Sequence, residues 1–416
     1  MPTHQIQALF LGLAAILVLA RVLGLVAARL GQPPVIGEII AGIAMGPTLF
    51  GGQIASTLFP TEIRPLLAAL ANVGLALFMF IVGCELELAT VVERKLMPIS
   101  VSVGSTVLPF LLGSGLGLYL YADHHHGSRL GFVLFFAASM SVTAFPVLAR
   151  ILSDRGMTQT RLGAVALASA AISDVLAWGL LAVAVTVSGG GSGQWRTLLL
   201  PVFVVLMFTV IRPALAWLVT ACSNRGTPPA ELLVPVVVGL LLSSWAAEWM
   251  GVHLIFGAFL FGAVMPRDGL HGARRQIVAR IEPVTTLVLL PIFFIVAGFK
   301  VDLSDLGAAA WGELVLIMLV AILGKTLGAY LGARAQGAGN RDAAVLATLM
   351  NTRGLTELVI LSVGLQLGFL DGQLYSLMVV MAVITTTMAG PLLAWLYPRR
   401  QVEQDAAEFA ATASPS

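Results

Sequence analysis

Charged residues are scarce in this sequence. They make up 11% of its 416 residues, against about 25% in an ordinary soluble domain. Two cysteines are too few for a disulfide framework. We find neither a Walker motif nor a dinucleotide fingerprint, so direct drive by ATP is not expected and no cofactor is predicted. The net charge of +2 gives no sign of a nucleic-acid partner.

Apolar residues dominate instead, at 58% of the chain with a mean hydropathy of +0.96. They fill the sequence from end to end, which predicts an all-α polytopic membrane protein whose surroundings are a lipid bilayer. Thirteen hydrophobic segments are predicted, of which the second and ninth are short. The segments run over residues 6–29, 35–50, 66–84, 96–121, 130–152, 162–188, 197–221, 230–248, 251–266, 281–299, 308–333, 342–368 and 373–397.

The distribution of basic residues predicts the orientation. With the N-terminus outside, fifteen of the 23 Lys and Arg residues fall in inside loops and four in outside loops, as the positive-inside rule requires. An odd number of spans then places the C-terminus in the cytoplasm. The sequence thus predicts a multi-pass plasma-membrane protein with one transmembrane domain over 1–400. A short disordered cytoplasmic tail is expected over 401–416, with no appended nucleotide-binding domain.

Two of the segments are predicted to be broken. The fifth carries Ser-Met-Ser-Val-Thr-Ala-Phe-Pro at 139–146, and the twelfth carries Asn-Thr-Arg-Gly at 351–354. The two lie seven segments apart and therefore run in opposite directions, as expected of inverted repeats with an ion site at matched broken helices. A simple kink at either place is the alternative. The residues expected at the crossing are Val142, Ala144, Pro146, Asn351, Thr352 and Gly354.

Asp174 is the only charged residue between Arg161 and Arg196. It lies near the predicted mid-depth of the bilayer, where an ionised carboxylate costs about 2.5–3.5 kcal/mol on insertion scales. Such a group is usually tied to a substrate, a proton or a counter-charge. Competition between a proton and Na⁺ or K⁺ for this carboxylate is all that antiport requires. The alternative is a structural aspartate paired permanently with a lysine.

Further oxygen ligands for a hard cation are available near Asp174. We expect them from Ser173, from Thr143 and from the carbonyl groups around 142–145. Lys325 is a candidate counter-charge for Asp174 or for the carbonyls of the broken helices. It could instead extend along its helix toward the cytoplasm.

The other charged or titratable residues have ordinary structural interpretations. Arg353 and Glu357 lie four residues apart and could satisfy each other, or Arg353 could hold the half-helix ends. Glu38 is expected to cap or position the second helix. For the run His124 to His126, a solvated loop is favoured over a metal site.

Four motifs together resemble the monovalent cation:proton antiporter-2 family, which has the sodium/hydrogen exchanger fold. They are QPPVIGEIIAGIAMGP (32–47), SVTAFPVLARIL (141–152), ISDVLAW (172–178) and NTRGLTELVIL (351–361). The stretch GKTLGAY around Lys325 extends the likeness. The second and fourth motifs are the most specific.

The resemblance implies a core domain and a dimerisation domain, with helices 5 and 12 discontinuous and crossed. It implies exchange of Na⁺ or K⁺ for H⁺ by elevator-type alternating access in a homodimer, with the ion site at Asp174. The family's threonine of the first broken helix corresponds to Thr143 and its membrane-embedded lysine to Lys325.

One departure from the family pattern bears on stoichiometry. Electrogenic members carry two adjacent aspartates at the ion site, whereas this chain has Ser173 and Asp174. We therefore expect one proton per cation and electroneutral exchange. A K⁺ efflux system with channel-like behaviour and a proton-coupled exporter of another solute are the alternatives. An enzyme is not expected, because no histidine lies at membrane depth apart from His253 at the end of the ninth segment.

Overall fold

The computed structural model describes residues 3–48, 53–85, 96–124, 128–188, 196, 199–224, 231–251, 253–266, 273–304 and 307–413. These residues form helices joined by short connections, and no β-strand occurs among them. The prediction of an all-α fold is therefore confirmed.

The first half of the chain contains α1 (Thr3–Arg29), α2 (Pro34–Met45), α3 (Gln53–Leu58), α4 (Arg64–Glu85), α5 (Leu96–Leu120), α6 (Arg129–Ser141), α7 (Phe145–Asp154) and α8 (Arg161–Ser188). The second half contains α9 (Leu200–Leu206), α10 (Arg212–Asn224), α11 (Leu233–Trp249), α12 (Leu254–Ala263), α13 (Ala273–Val284), α14 (Leu290–Gly298), α15 (Ala308–Ala335), α16 (Asn340–Met350), α17 (Leu355–Gln366), α18 (Gly372–Leu396) and α19 (Arg399–Ala413). A π-helical turn at Met207–Ile211 joins α9 to α10, and another at Thr285–Leu289 joins α13 to α14.

Each of the thirteen predicted segments contains a helix. Eight helical spans in the described part of the chain are long and apolar enough to cross a membrane, and two of them continue through the π-helical turns. The second and ninth segments are short, as predicted, since α2 has 12 residues and α12 has 10. The fifth and twelfth segments each contain two helices separated by a non-helical stretch, so both predicted breaks are present. The chain is a multi-pass membrane protein.

The chain divides into two compact units. The first comprises Met1–Ala20, Ile54–Glu87 and Gly189–Val296. Within it, α4 and α12 touch backbone to backbone, because a Cβ atom on Gly83 would lie 2.2 Å from the carbonyl oxygen of Phe259. Small residues at such a contact are the usual means of packing membrane helices closely.

The second unit comprises Arg21–Gln53, Leu88–Ser188 and Ala297–Ser416 and contains both broken helices. Here α5 packs against α15 through glycines, and a Cβ atom on Gly328 would lie 2.1 Å from the carbonyl oxygen of Gly104. Gly324 and Gly332 make similar contacts with α5 one turn to either side. This is the close packing that the small residues around Lys325 predict. The adjacent α8 packs against α5, α6, α7 and α16.

The C-terminal tail differs from its predicted structure. Over the described residues, the segment expected to be disordered forms α19 (Arg399–Ala413). Ala, Glu and Gln, which are common in it, favour helix. Val402 is buried, and the Asp405 carboxylate accepts a hydrogen bond from the Tyr397 hydroxyl. Local helix propensity and these two contacts oppose the disorder that the polar composition suggests.

Candidate functional site

The two broken helices cross in the interior of the second unit. The backbone N–H of Ala144 donates to the Thr352 carbonyl at 3.2 Å, and the Thr143 hydroxyl donates to the Met350 carbonyl at 3.3 Å. A Cβ atom on Gly354 would lie 2.6 Å from a methyl group of Val147 in α7. The predicted crossing of discontinuous helices is thereby confirmed.

The residues at the two breaks explain why the helices are interrupted there. Pro146 is the second residue of α7, a position where the missing N–H of proline costs no helical hydrogen bond. The first break is the stretch from Val142 to Ala144 just before it. The second break runs from Asn351 to Gly354, and its glycine gives α7 the room to approach. The side-chain amide oxygen of Asn351 is buried and accepts no hydrogen bond from the described residues.

Asp174 lies halfway along α8, and 2% of its surface is exposed. No side chain within the described ranges donates a hydrogen bond to either of its carboxylate oxygens. The Lys325 charge acts on it, and the backbone N–H of Phe145, at the start of α7, donates toward it. The carboxylate is thus buried beside the crossing with its oxygens available to a proton or a cation.

Lys325 is fully buried and does not extend toward the cytoplasm, so that alternative is wrong. Its ammonium group donates a hydrogen bond to the Thr143 hydroxyl at the first break. The structure therefore brings these two predicted residues together. Lys325 acts on Asp174 through its charge, and its ammonium group does not donate a hydrogen bond to either Asp174 oxygen.

Ser173 is buried beside Asp174 in sequence, but its hydroxyl pairs with that of Ser102 on α5 at 2.9 Å. Consecutive helical side chains point about 100° apart, which explains the difference in surroundings. A hydroxyl group can donate one hydrogen bond and still accept another. The Ser173 oxygen could therefore bind a cation while Ser173 donates its hydroxyl hydrogen to Ser102.

Arg353 and Glu357 form a fully buried ion pair, with Nη1 of the arginine 2.8 Å from the glutamate. The same guanidinium group donates to the carbonyls of Met140 at 2.7 Å and Ser139 at 3.4 Å. Those carbonyls belong to the last turn of α6, where the regular helical partners are missing, although that of Ser139 also accepts from the Val142 N–H at 3.4 Å. Both structural interpretations of Arg353 therefore hold at once, since it neutralises Glu357 and holds a half-helix end.

The family model for the sodium/hydrogen exchanger transmembrane domain matches residues 14–398. This chain belongs to the sodium/hydrogen exchanger family.

Curated relatives of this family member are antiporters by name. The Na(+)/H(+) antiporter NhaS4 of Synechocystis sp. is 38% identical over 408 residues, which cover 96% of this chain and 99% of the relative. The Arabidopsis thaliana Cation/H(+) antiporter 20 is 36% identical, covering 92% of this chain and 48% of the relative. The Saccharomyces cerevisiae K(+)/H(+) antiporter 1 is 34% identical, covering 88% of this chain and 44% of the relative. The chain thus spans about half the length of the plant and yeast relatives.

A solved exchanger has the same fold. The sodium proton antiporter MjNhaP1 from Methanocaldococcus jannaschii at pH 8 matches with a TM-score of 0.65 and 15% sequence identity. The match covers 97% of this chain and 99% of that one. At this identity the likeness establishes the fold.

Two polar contacts at the helix crossing were not predicted from the sequence. Ser102 is the partner of Ser173, and the Thr386 hydroxyl both accepts from the Arg353 amide at 2.9 Å and donates to its carbonyl at 2.6 Å. The run Thr385 to Thr387 at mid-helix in α18 is a usable signal, because polar residues at membrane depth mark buried or functional faces. In α5, Ser102 shares a buried polar stretch with Ser105 and Thr106, which is the same kind of signal.

His124 is buried rather than part of a solvated loop, so that expectation is wrong for this residue. Its Nδ1 lies 2.5 Å from the Asp371 carboxylate and its Nε2 lies 3.1 Å from that of Glu313. The turn after α5 is thereby bound to α15 and to the start of α18. His125 and His126 lie outside the described residues. No group of residues suited to a metal ion occurs within the described ranges.

The His124 contacts predict a pH-dependent stability. The hydrogen bond to Asp371, with the negative charges of both carboxylates, raises the pKa of His124 to about 8, while burial opposes the shift. Because the folded-state pKa exceeds the ordinary value of about 6.5, the stabilisation is complete below pH 6.5 and is lost as pH rises through 8. We expect the melting temperature in detergent to fall between pH 6.5 and 9, by on the order of 2 °C more in the native protein than in His124→Gln.

The matched control for this measurement is His4→Gln, which removes an exposed histidine. Its melting temperature should follow the native pH profile. Equal pH profiles for His124→Gln and the native protein would show that His124 contributes no titrating contact.

Proposed function

We propose that this chain is a secondary antiporter that exchanges Na⁺ or K⁺ for H⁺, with cation and proton competing for the carboxylate of Asp174. The observation that carries the proposal is the state of this carboxylate. It is buried beside the helix crossing, and no side chain within the described ranges donates a hydrogen bond to either oxygen; the backbone N–H of Phe145, at the start of α7, donates toward it. A structural aspartate at such depth would be expected to hold a hydrogen-bonded partner, because an unpaired buried charge is expensive. The names of two relatives, a Na(+)/H(+) and a K(+)/H(+) antiporter, support the antiport part of the proposal.

The surroundings suit a small hard cation. Na⁺ and K⁺ are bound by oxygen atoms, and the Asp174 carboxylate and the free amide oxygen of Asn351 are candidates at or beside the crossing. The Thr143 hydroxyl is a third candidate, subject to its bonds with Lys325 and Met350. Non-helical backbone at membrane depth is tolerated where it serves such a site. Ser173 remains a fourth candidate, subject to its bond with Ser102.

The buried charges around the crossing balance in pairs. Asp174, Glu357 and Arg353 all act electrostatically on Lys325, and two acids and two bases sum to zero when all are ionised. Binding either one proton or one monovalent cation then adds the same single positive charge. The two loaded carriers would therefore cross the membrane with equal charge, which is the physical basis for electroneutral exchange.

The proposal includes how the protein moves and where it works. We place the exchanger in the plasma membrane as a homodimer, with the N-terminus outside and the C-terminus in the cytoplasm. Elevator-type alternating access would carry the crossing between the two faces. The division of the chain into two compact units, with the crossing wholly inside one of them, supports a moving core.

The test is cation-driven proton flux in proteoliposomes that contain a pH-sensitive dye. Adding Na⁺, K⁺ or Li⁺ outside should move protons out of the lumen for at least one cation, and the initial rates rank the selectivity. Failure of all three cations at every pH between 6 and 9, for protein shown to be folded, would contradict monovalent cation exchange.

The stoichiometry is tested on the same vesicles under a membrane potential set with a lipophilic ion. Each net elementary charge moved across 100 mV changes the free energy by about 2.3 kcal/mol. Exchange of one cation for one proton moves no net charge, so its rate should not depend on the potential. A rate that follows the potential would exclude electroneutral exchange while leaving antiport intact.

A further inference from the structure

A basic cavity opens in the second unit, apart from Asp174. It has a volume of about 660 Å³, within the range of about 300–1,000 Å³ that is typical of small-molecule sites. Its walls come from the α1–α2 connection, the end of α7, the C-terminal half of α18 and the start of α19. Basic residues at these ends put the cavity on the predicted cytoplasmic side.

Three arginines line this basic cavity, and no acidic side chain does so among the described residues. Arg155 is held in place by a 2.5 Å hydrogen bond from Nη2 to the Gly390 carbonyl. Burial, together with the positive charge of Arg399, lowers the pKa of the Arg155 guanidinium group. The fold thus brings two like charges within electrostatic reach of each other, a cost that a bound anion would relieve.

The third arginine is shared with a carboxylate outside the cavity. The positive charge of Arg150 acts on Glu38 of α2, and Glu38 does not line the cavity. The net charge of the lining is therefore positive even when Arg150 is counted as balanced. Arginine forks pair with phosphate oxygens in bidentate geometry, which makes phosphate the anion that this lining suits best.

The basic cavity also reaches the second break. Thr386 lines it, and the hydroxyl of Thr386 bonds both the amide and the carbonyl of Arg353. A ligand in the cavity would therefore contact α18 at the residue that fixes the backbone of the broken helix.

We propose that the basic cavity binds a phosphate group, with Arg155 and Arg399 as its main ligands. Phosphate binding in this cavity is expected whether or not the chain proves to be an antiporter. The phosphate group has two possible sources, the headgroup of an anionic lipid in the cytoplasmic leaflet and a soluble phosphate ester. Basic pockets between membrane helices on the cytoplasmic side commonly receive lipid headgroups.

The experiment compares Arg399→Gln with Arg400→Gln. These neighbours change the same charge, but Arg400 does not line the cavity, and both residues are exposed. The full chain is purified without anionic lipid and placed in phosphatidylcholine nanodiscs, with or without phosphatidylglycerol. Native mass spectrometry measures retained phosphatidylglycerol, and the shift in melting temperature measures binding of glycerol 3-phosphate and of inorganic phosphate.

We expect Arg399→Gln to weaken binding about tenfold, the effect of losing a charge-assisted hydrogen bond of about 1.4 kcal/mol. Arg400→Gln should change it less than about twofold. Retention of phosphatidylglycerol without binding of soluble phosphates identifies a lipid headgroup, and the reverse identifies a soluble ester. Equal binding by the two variants, or no binding of any phosphate by the native chain, would overturn the proposal.

Discussion

Replacing Asp174 with asparagine is expected to abolish cation-linked proton exchange, leaving the flux of protein-free liposomes. The amide has nearly the same shape but neither binds a proton near neutral pH nor carries the negative charge that attracts a cation. The melting temperature should not fall, because the substitution removes a buried carboxylate whose ionised form costs about 2.5–3.5 kcal/mol at membrane depth. Lost transport in a protein of undiminished stability separates a chemical role from a structural one.

The matched control is Asp123→Asn, which removes an exposed carboxylate in the turn after α5. Its flux should equal that of the native protein. Asp174→Glu keeps the charge on a longer side chain and should give an intermediate rate. Exchange by Asp174→Asn at the native rate would show that another group binds the proton and would end the assignment.

Replacing Arg353 with methionine is expected to destabilise the fold more than any single surface change. It removes the ion-pair partner of Glu357, which has no exposed surface, and the side-chain donor to the carbonyls of Met140 and Ser139. Breaking a buried pair by removing one partner costs about 3–5 kcal/mol. We expect a marked fall in melting temperature and in the yield of monodisperse protein.

The double replacement Arg353→Met with Glu357→Leu separates the two parts of this cost. It removes the unpaired charge and should recover part of the stability, while the carbonyls at the end of α6 stay without their donor. Arg400→Met, on the exposed start of α19, serves as the control. If Arg353→Met and this control have the same melting temperature, the ion pair contributes nothing to holding the broken helices.

The membrane-spanning segments could be predicted because the length of an apolar run can be read from the local sequence alone. All thirteen segments were expected from apolar runs, and both breaks from short polar motifs at mid-helix. Pro146 shows the limit of such patterns. It predicted an interruption correctly, yet the structure puts it inside the first turn of α7, after the break.

The partners of the site residues could not be predicted, since they depend on packing between distant segments. The Lys325 contact with Thr143 arises because glycines bring α15 onto α5 and carry the lysine inward. His124 finds counter-charges on α15 and before α18, far away in sequence. The tail was misjudged for a related reason, since Tyr397 and the buried Val402 hold α19 through contacts that composition does not show.

The central claim is that cation and proton compete for one carboxylate, and the pH dependence of the apparent KM for the transported cation tests it most directly. Initial rates are measured in proteoliposomes between pH 6 and 9 over a range of cation concentrations. Competition predicts a KM that rises as pH falls, by up to about tenfold per pH unit for a single proton, at a constant maximal rate. A KM that stays constant while the maximal rate falls would mean that the proton and the cation bind at separate places.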